Sequence, residues 1–287
     1  MNITNLFLLA LSILLETTKN VLSNNFSNTY LKSDTDIYKF NIFSYLGSFL
    51  VLMFFQKSDV SLFTVITALL FAVALNLNQV FFLKALSCGA MSFTNFIQGS
   101  GLIISTAFGI ILCKENVKIL QIAMLLLFIF SMALALNVKK GAVNKKWLLF
   151  AALSMIFMGC IGIMQTLHQT SAHQSELTSF LRLAFLFSAL INIPLWKLSE
   201  TKEKSCFSIK SKALLFAIGS GGFMGAVHII NLYLSGKMPK IFFFPAVNGG
   251  LIFATLIAGI IFFKERLNKA QIIGIILGAI ALSFIGL

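Results

Sequence analysis

Charge is scarce in this chain. Only 11% of its 287 residues are Asp, Glu, Lys or Arg, against roughly 25% in a soluble domain. Mean hydropathy is +0.94, so a soluble globular fold and a disordered chain are both excluded, because disorder needs low hydrophobicity. Proline is nearly absent, with 3 residues, so long helices can run with little interruption. The four cysteines, Cys88, Cys113, Cys160 and Cys206, form no Cys-x-x-Cys, and the three histidines form no His-Glu-x-x-His. A metal site is therefore not expected, and the cysteines read as small apolar filler. Gly-x-x-x-x-Gly-Lys-[Ser/Thr] is also missing, so no ATP-driven machinery and no cofactor is expected. What is abundant is apolar: 58% of the chain is hydrophobic and 31 residues are Phe.

Apolar stretches bounded by charge fall at 3–22, 40–56, 60–83, 90–113, 117–138, 147–168, 177–198, 212–234, 240–263 and 270–287, leaving 71 residues for all connections and ends. A membrane-spanning helix needs roughly 20 such residues. In hydrocarbon, only helices and closed barrels satisfy their own backbone, and runs this long without period-2 alternation exclude the barrel. The expected fold class is an all-α polytopic membrane protein with ten transmembrane helices. The first segment is the weakest, since its continuous apolar run ends at Leu15; no Lys or Arg precedes Lys19, so it reads as a retained helix and not a signal peptide.

Lys and Arg total 22 against 9 Asp and Glu. In a membrane protein this surplus reflects loops and anionic headgroups, not nucleic acid. Connections after odd-numbered segments hold 15 basic residues and those after even-numbered ones hold five, which puts the first set in the cytoplasm and both termini outside.

The chain also repeats itself. At an offset of 150, Phe93, Gly99, Gly109, Ile110, Ile111, Lys114, Glu115, Gln121 and Ile122 meet Phe243, Gly249, Gly259, Ile260, Ile261, Lys264, Glu265, Gln271 and Ile272. The polar Lys-Glu and Gln matches at fixed spacing carry this, because apolar identities are cheap in a membrane. At an offset of 140, Phe40, Leu46, Ser48, Leu50 and Lys57 meet Phe180, Leu186, Ser188, Leu190 and Lys197. Two five-helix halves follow, 1–140 and 141–287. Five crossings are odd, so the second half enters from the opposite side and the repeats are inverted. Many secondary transporters alternate access with that symmetry.

Ten helices in two halves, each with Lys-Glu after its fourth helix and Gln six residues later, resemble the drug/metabolite transporter superfamily. The resemblance covers essentially the whole chain and is best at 89–137 and 239–287, including Pro245; Thr18-Lys19-Asn20 and Asp36 are similar to some members. It implies transport, with cargo among amino acids, sugar phosphates, nucleotide sugars, drugs and other metabolites, and it implies cytoplasmic termini, opposite to the charge count. Two departures stand out: Asn95 sits where the repeat partner is Pro245, and Lys114 and Lys264 sit where that family often has glycine before the loop Glu.

Polar residues within the apolar segments are the candidate substrate contacts: Glu16, Asn76, Gln98, Gln165, His228, Asn231 and Asn248. Glu16 is the carboxylate inside an apolar segment, with Lys19 three residues on and on the same face. Either both face a cavity, where charge inside a membrane usually has a function, or helix 1 ends early and both snorkel to the interface. Gln98 and Asn248 occupy repeat-equivalent positions, each followed by Gly, and suit either a cavity wall or interhelical hydrogen bonds. Glu16 and His228 are the titratable candidates for proton coupling. Lys19 and Arg182 are the candidate anion contacts, Arg182 through bidentate hydrogen bonds or by snorkelling. The Gly219–Gly225 cluster reads as helix packing, and Glu115 and Glu265 as structural charges in the first turn of helices 5 and 10.

The expectation is a secondary active transporter, an exporter or exchanger, for a small polar or amphipathic metabolite. It would sit in the cell membrane as a monomer or homodimer, its partners being a small-molecule substrate and the lipid bilayer. It is not expected to be an enzyme. An anion exchanger for sugar phosphates or nucleotide sugars and an intramembrane enzyme on lipid-linked substrate are the alternatives.

Overall fold

A computed structural model describes residues 2–55, 58–89, 91–135, 145–200, 207, 212–264 and 268–285. Their regular structure is helical, and no strand occurs among them. In chain order the helices are α1 (Ile3–Tyr30), α2 (Asp34–Leu52), α3 (Leu62–Leu86), α4 (Met91–Gly99), α5 (Leu102–Cys113), α6 (Ile119–Ala135), α7 (Lys145–Thr170), α8 (Leu177–Glu200), α9 (Lys212–Ser235), α10 (Lys240–Phe244), α11 (Gly250–Phe263) and α12 (Lys269–Ile285). One 3₁₀ turn, Gln174–Glu176, leads into α8, and a π-helical turn, Pro245–Gly249, joins α10 to α11.

Seven spans are long and apolar enough to cross a membrane: α1, α3, Thr94–Cys113, α7, Gln174–Glu200, α9 and Lys240–Phe262. The protein is thus a helical chain with the pattern of a multi-pass membrane protein. Of the ten expected crossings, α2 carries Asp34, Asp36 and Lys39 within its 19 residues, and α6 and α12 have 17 residues each. The exterior is apolar, with Ile3, Phe7, Leu14, Leu126, Leu215 and Phe262 all exposed. Polar residues lie inside.

The first helix corrects the expected boundary. It runs on to Tyr30, through residues assigned to a polar connection, because Ser12, Lys19, Asn20, Ser23, Asn24 and Ser27 are buried along one side of it. Their spacing of three and four makes an inward polar stripe on a helix whose other face is apolar. Such polarity marks an interior face here, not a loop. The chain then turns at Ser33, whose hydroxyl and Asp36 form a reciprocal capping box that starts α2.

Helix pairing is specific. Extensive contacts join α1 to α9, α3 to α7, α2 to α9, α3 to α8, α2 to α8 and α6 to α12. α2 and α8 lie antiparallel: Thr35 and Lys39 meet Ser199 and Glu200, at 2.9 Å each, near one end. At the other, Arg182 donates to the Leu52 carbonyl at 2.9 Å.

The glycine run of α9 packs against α2. A Cβ on Gly221 would lie 1.9 Å from the Ser44 carbonyl oxygen, and one on Gly225 would lie 2.9 Å from that of Ser48. Ser48 Oγ donates to the Gly221 carbonyl at 2.7 Å and Ser44 Oγ to that of Ala217 at 3.0 Å. Small residues let two backbones meet, and serine hydroxyls then bridge them. Gly222 is different, since its nearest neighbour to a Cβ is Val51 Cγ2 at 3.9 Å. Gly221→Ala is therefore expected to destabilise the purified protein by about 2 kcal/mol or more through overpacking, while Gly222→Ala leaves its Tm nearly unchanged. Thermal unfolding in one detergent checks both.

Candidate functional site

A cavity of about 50 Å³ is lined by α1, α3, α4, α5, α7, α9 and the α10–α11 helix. That is room for a few water molecules. Six of the seven candidate residues line it: Glu16, Gln98, Gln165, His228, Asn231 and Asn248. Lys19, Asn78, Gln79 and Ser105 join them, with Met158, Met224, Phe243 and Phe244 among the apolar wall.

Each polar side chain is held from its own helix. Lys19 Nζ pairs with Glu16 Oε1 at 2.7 Å, one turn apart on α1, and lies 5.6 Å from the Phe82 ring centroid. The pair's side chains are 7% and 15% exposed, so helix 1 carries both inward and neither reaches the helix end. Ser12 Oγ donates to Asn231 Oδ1 at 2.5 Å, joining α1 to α9. Gln165 Nε2 and His228 Nδ1 are 3.4 Å apart, and the His228 ring stands edge-on to Phe71 and Phe185. On the opposite wall, Ser154 Oγ receives Gln98 Nε2 and Asn78 Nδ2, both at 3.1 Å, and Gln98 Nε2 also reaches Asn78 Oδ1 at 3.1 Å.

Two amide atoms on the wall have no hydrogen-bond partner: Gln79 Nε2, a donor, and Asn248 Oδ1, an acceptor. Gln79 is 1% exposed and Asn248 5%. An unmet buried amide costs roughly 1–3 kcal/mol, a cost that a solute with one acceptor and one donor could relieve. Asn248 occupies this position because Pro245 supplies no N–H and opens the π turn around it; its Nδ2 donates back to the Phe244 carbonyl at 3.1 Å. The helix from Met91 to Cys113, expected to be continuous, breaks at Ser100–Gly101. There a Cβ on Gly101 would stand 2.5 Å from the Met155 carbonyl oxygen of α7.

Two candidates lie elsewhere. Asn76 is buried in a chain of amides between α2, α3 and α8: Asn192 Nδ2 donates to Asn76 Oδ1, and Asn41 Nδ2 to Asn192 Oδ1 at 3.4 Å. A shift of two residues along α3 turns the face by about 200°, so Asn78 reaches the cavity and Asn76 does not. Arg182 is an intramolecular cap. Its guanidinium donates to the carbonyls of Leu52, the last residue of α2, and of Phe55, three residues on, where the helix's own i→i+4 bonding has ended. It is not placed for an anion in the cavity. Glu115 also departs from expectation. Its carboxylate accepts from the backbone N–H of Lys240 at 2.6 Å and of Ile241 at 3.2 Å, so it caps α10 and not the helix that follows it. Glu265 lies outside the described residues.

Ser154, at the centre of the Asn78–Gln98 bridge, escaped sequence reasoning, since a lone buried serine carries no pattern. Asn78 and Gln79 were visible as polar residues beside Asn76; Gln79, expected on the same face as Asn76, lines the cavity, whereas Asn76 bonds Asn192.

No protein-family model matches the chain, and no curated protein sequence matches it. Among solved structures, one titled "Crystal structure of protein" superposes with a TM-score of 0.68 over 98% of this chain and 97% of that one, at 11% identity. The likeness is one of fold.

Ser154→Ala should leave both amides short of an acceptor and lower stability by about 1–3 kcal/mol. Ser154→Thr, which keeps the hydroxyl, should lose less. Chemical unfolding in detergent distinguishes them, and equal losses would show that the hydroxyl is not the linking group.

Proposed function

We propose that this chain is a secondary active transporter of a small polar or amphipathic metabolite, built as two inverted five-helix repeats in the manner of the drug/metabolite transporter superfamily. The observation that carries the proposal is the cavity inside the bundle, walled by the Glu16–Lys19 ion pair and by two buried amides with unmet hydrogen bonds, among apolar helices. A polar chamber inside a membrane-spanning bundle is costly unless a solute uses it.

The repeat has structural support. If α1–α6 and α7–α12 exchange roles, α1·α9 maps onto α3·α7, and α2·α9 onto α3·α8, while α2·α8 and α6·α12 map onto themselves. Two non-glycine residues among those described have positive φ, Lys114 at 49° and Lys264 at 55°. They are the repeat-equivalent C-caps of α5 and α11. A left-handed C-cap is where glycine is favoured, which accounts for the glycine that the superfamily often carries there. The antiparallel α2 and α8, second in each half, agree with inversion.

With no ATP motif in the sequence, an ion gradient or exchange of cargo supplies the energy, and Glu16 and His228 remain the residues proposed for proton coupling. The charge balance favours neutral or dipolar cargo: Lys19, the one Lys or Arg on the cavity wall among the described residues, is already paired with Glu16, and Arg182 lies elsewhere. That weakens the anion-exchanger reading. A cell-membrane location belongs to the same proposal.

A thermal-shift panel of amino acids, nucleosides, sugar phosphates and cationic drugs tests this, because a ligand of the native state raises Tm by mass action. A dipolar or neutral compound should stabilise the wild type. Glu16→Gln leaves Lys19 unpaired, so it should lose that response and abolish pH-driven flux of the same compound in proteoliposomes. Stabilisation by sugar phosphates alone would favour the anion exchanger, and wild-type pH dependence in Glu16→Gln would remove Glu16 from coupling.

A further inference from the structure

The 140-residue register extends to a pair of acids that do opposite ends of one job. Asp36 and Glu176 are 140 residues apart, each four residues before a fully buried Phe, Phe40 and Phe180. Each is tied to the residue three before it: Asp36 Oδ2 accepts from Ser33 Oγ at 3.0 Å, and Glu176 Oε1 meets His173 Nδ1 at 2.9 Å. Each then reaches into the other half of the chain. Asp36 Oδ1 accepts from the backbone N–H of Phe207 at 2.9 Å, just ahead of α9. Glu176 Oε2 accepts from the N–H and the hydroxyl of Ser61, both at 2.8 Å, and Ser61 is the N-cap of α3. Both acids are buried, at 0% and 7% exposure.

The two clasps are far apart. Glu176 immediately precedes α8 and Phe207 follows its last residue, and 24 residues of helix span about 36 Å. They therefore secure opposite ends of the bundle, and what each secures is the start of a cavity-lining helix, α9 at one end and α3 at the other. Other ties are weaker or share an end: Lys39–Glu200 sits beside the Asp36 clasp with Glu200 nearly half exposed, Ser58 bonds Ser179 at 2.9 Å beside the Glu176 clasp, and Glu115 on the N-terminus of α10 belongs to that second end.

We propose that Asp36 and Glu176 are matched gate latches, each holding one mouth of the central cavity shut across the boundary between the halves. This rests on the alternating-access reading. Both latches are engaged here, with a cavity of about 50 Å³ inside the bundle; in the proposed cycle, opening to either side requires one carboxylate to release its backbone donor while the other holds. Charge-assisted bonds to backbone N–H groups suit the task, since they are strong yet break without rearranging a packed core.

The test uses Ser105→Cys as a cavity reporter in the full chain, with Cys88, Cys113, Cys160 and Cys206 changed to Ser. Methanethiosulfonate ethyltrimethylammonium, which does not cross membranes, is applied to right-side-out and to inverted vesicles. Asp36→Asn should speed labelling from one side and slow it from the other by about tenfold, the loss expected of one charge-assisted hydrogen bond; Glu176→Gln should do the reverse. Ser61→Ala, a gentler change, should shift labelling in the same sense as Glu176→Gln by a smaller factor. Acceleration from the same side by Asp36→Asn and Glu176→Gln, or no change in monodisperse protein of wild-type Tm, would overturn the latches. Mirrored labelling without flux of any stabilising compound would instead overturn transport and leave the latches standing.

Discussion

A polar group carried into hydrocarbon has no water to bond with and must find its partner inside the chain. That constraint organises this protein. Serine hydroxyls of α2 donate to carbonyls of α9, Asn192 links Asn76 and Asn41, and Asn20 donates to Asn95 at 2.5 Å between α1 and α4. Arg182 donates to the carbonyl of Leu52, the last residue of α2. Nearly every deep side chain of this kind is accounted for by another helix. Among the described residues a few buried atoms stay unmet, including Asn20 Oδ1, Asn41 Oδ1 and Ser188 Oγ in the packed regions and Gln79 Nε2 and Asn248 Oδ1 on the cavity wall. What sets the chamber apart is that its two unmet amide atoms share a wall with the Glu16–Lys19 ion pair.

Order along the chain and order in space are joined by the same rule. α2 and α8 hold one another antiparallel through contacts at both ends, and carboxylates at the helix starts receive backbone N–H groups from the other half. Helix ends are where backbone groups lack intrahelical partners, so the bundle is tied at its rims by these groups and packed at its waist by glycine and phenylalanine. In the proposed transporter, stiffness between the rims and reversibility at them are what two-sided opening needs.

Much of the architecture was legible because membrane helices advertise themselves. Charge scarcity and long apolar runs located most segments to within a few residues, and the Lys114-Glu115 and Lys264-Glu265 repeat marked two positions that the structure gives the same left-handed backbone at Lys114 and Lys264. Polarity misled where it faced inward: Ser23, Asn24 and Ser27 looked like the start of a loop, yet they continue the buried polar stripe of α1. Candidate residues were readable as intramembrane polar groups, whereas which face each occupied depended on the neighbouring helix. Asn76 and Asn78 differ by two positions and by destination; helical periodicity puts them on different faces, and only the neighbouring helices decide which face meets the cavity. Arg182 and Glu115 were read by their own helices, but their partners belong to other ones. Long-range pairing is what a single sequence hides.

The central claim is that the two halves run through the bilayer in opposite senses around one chamber. Its most direct test places a single cysteine at Lys114 or at Lys264 in the cysteine-free chain and treats intact cells with an impermeant maleimide. The account expects one of the two to label in intact cells and the other only after permeabilisation. Labelling of both from the same side would contradict the inversion and the transport cycle built on it.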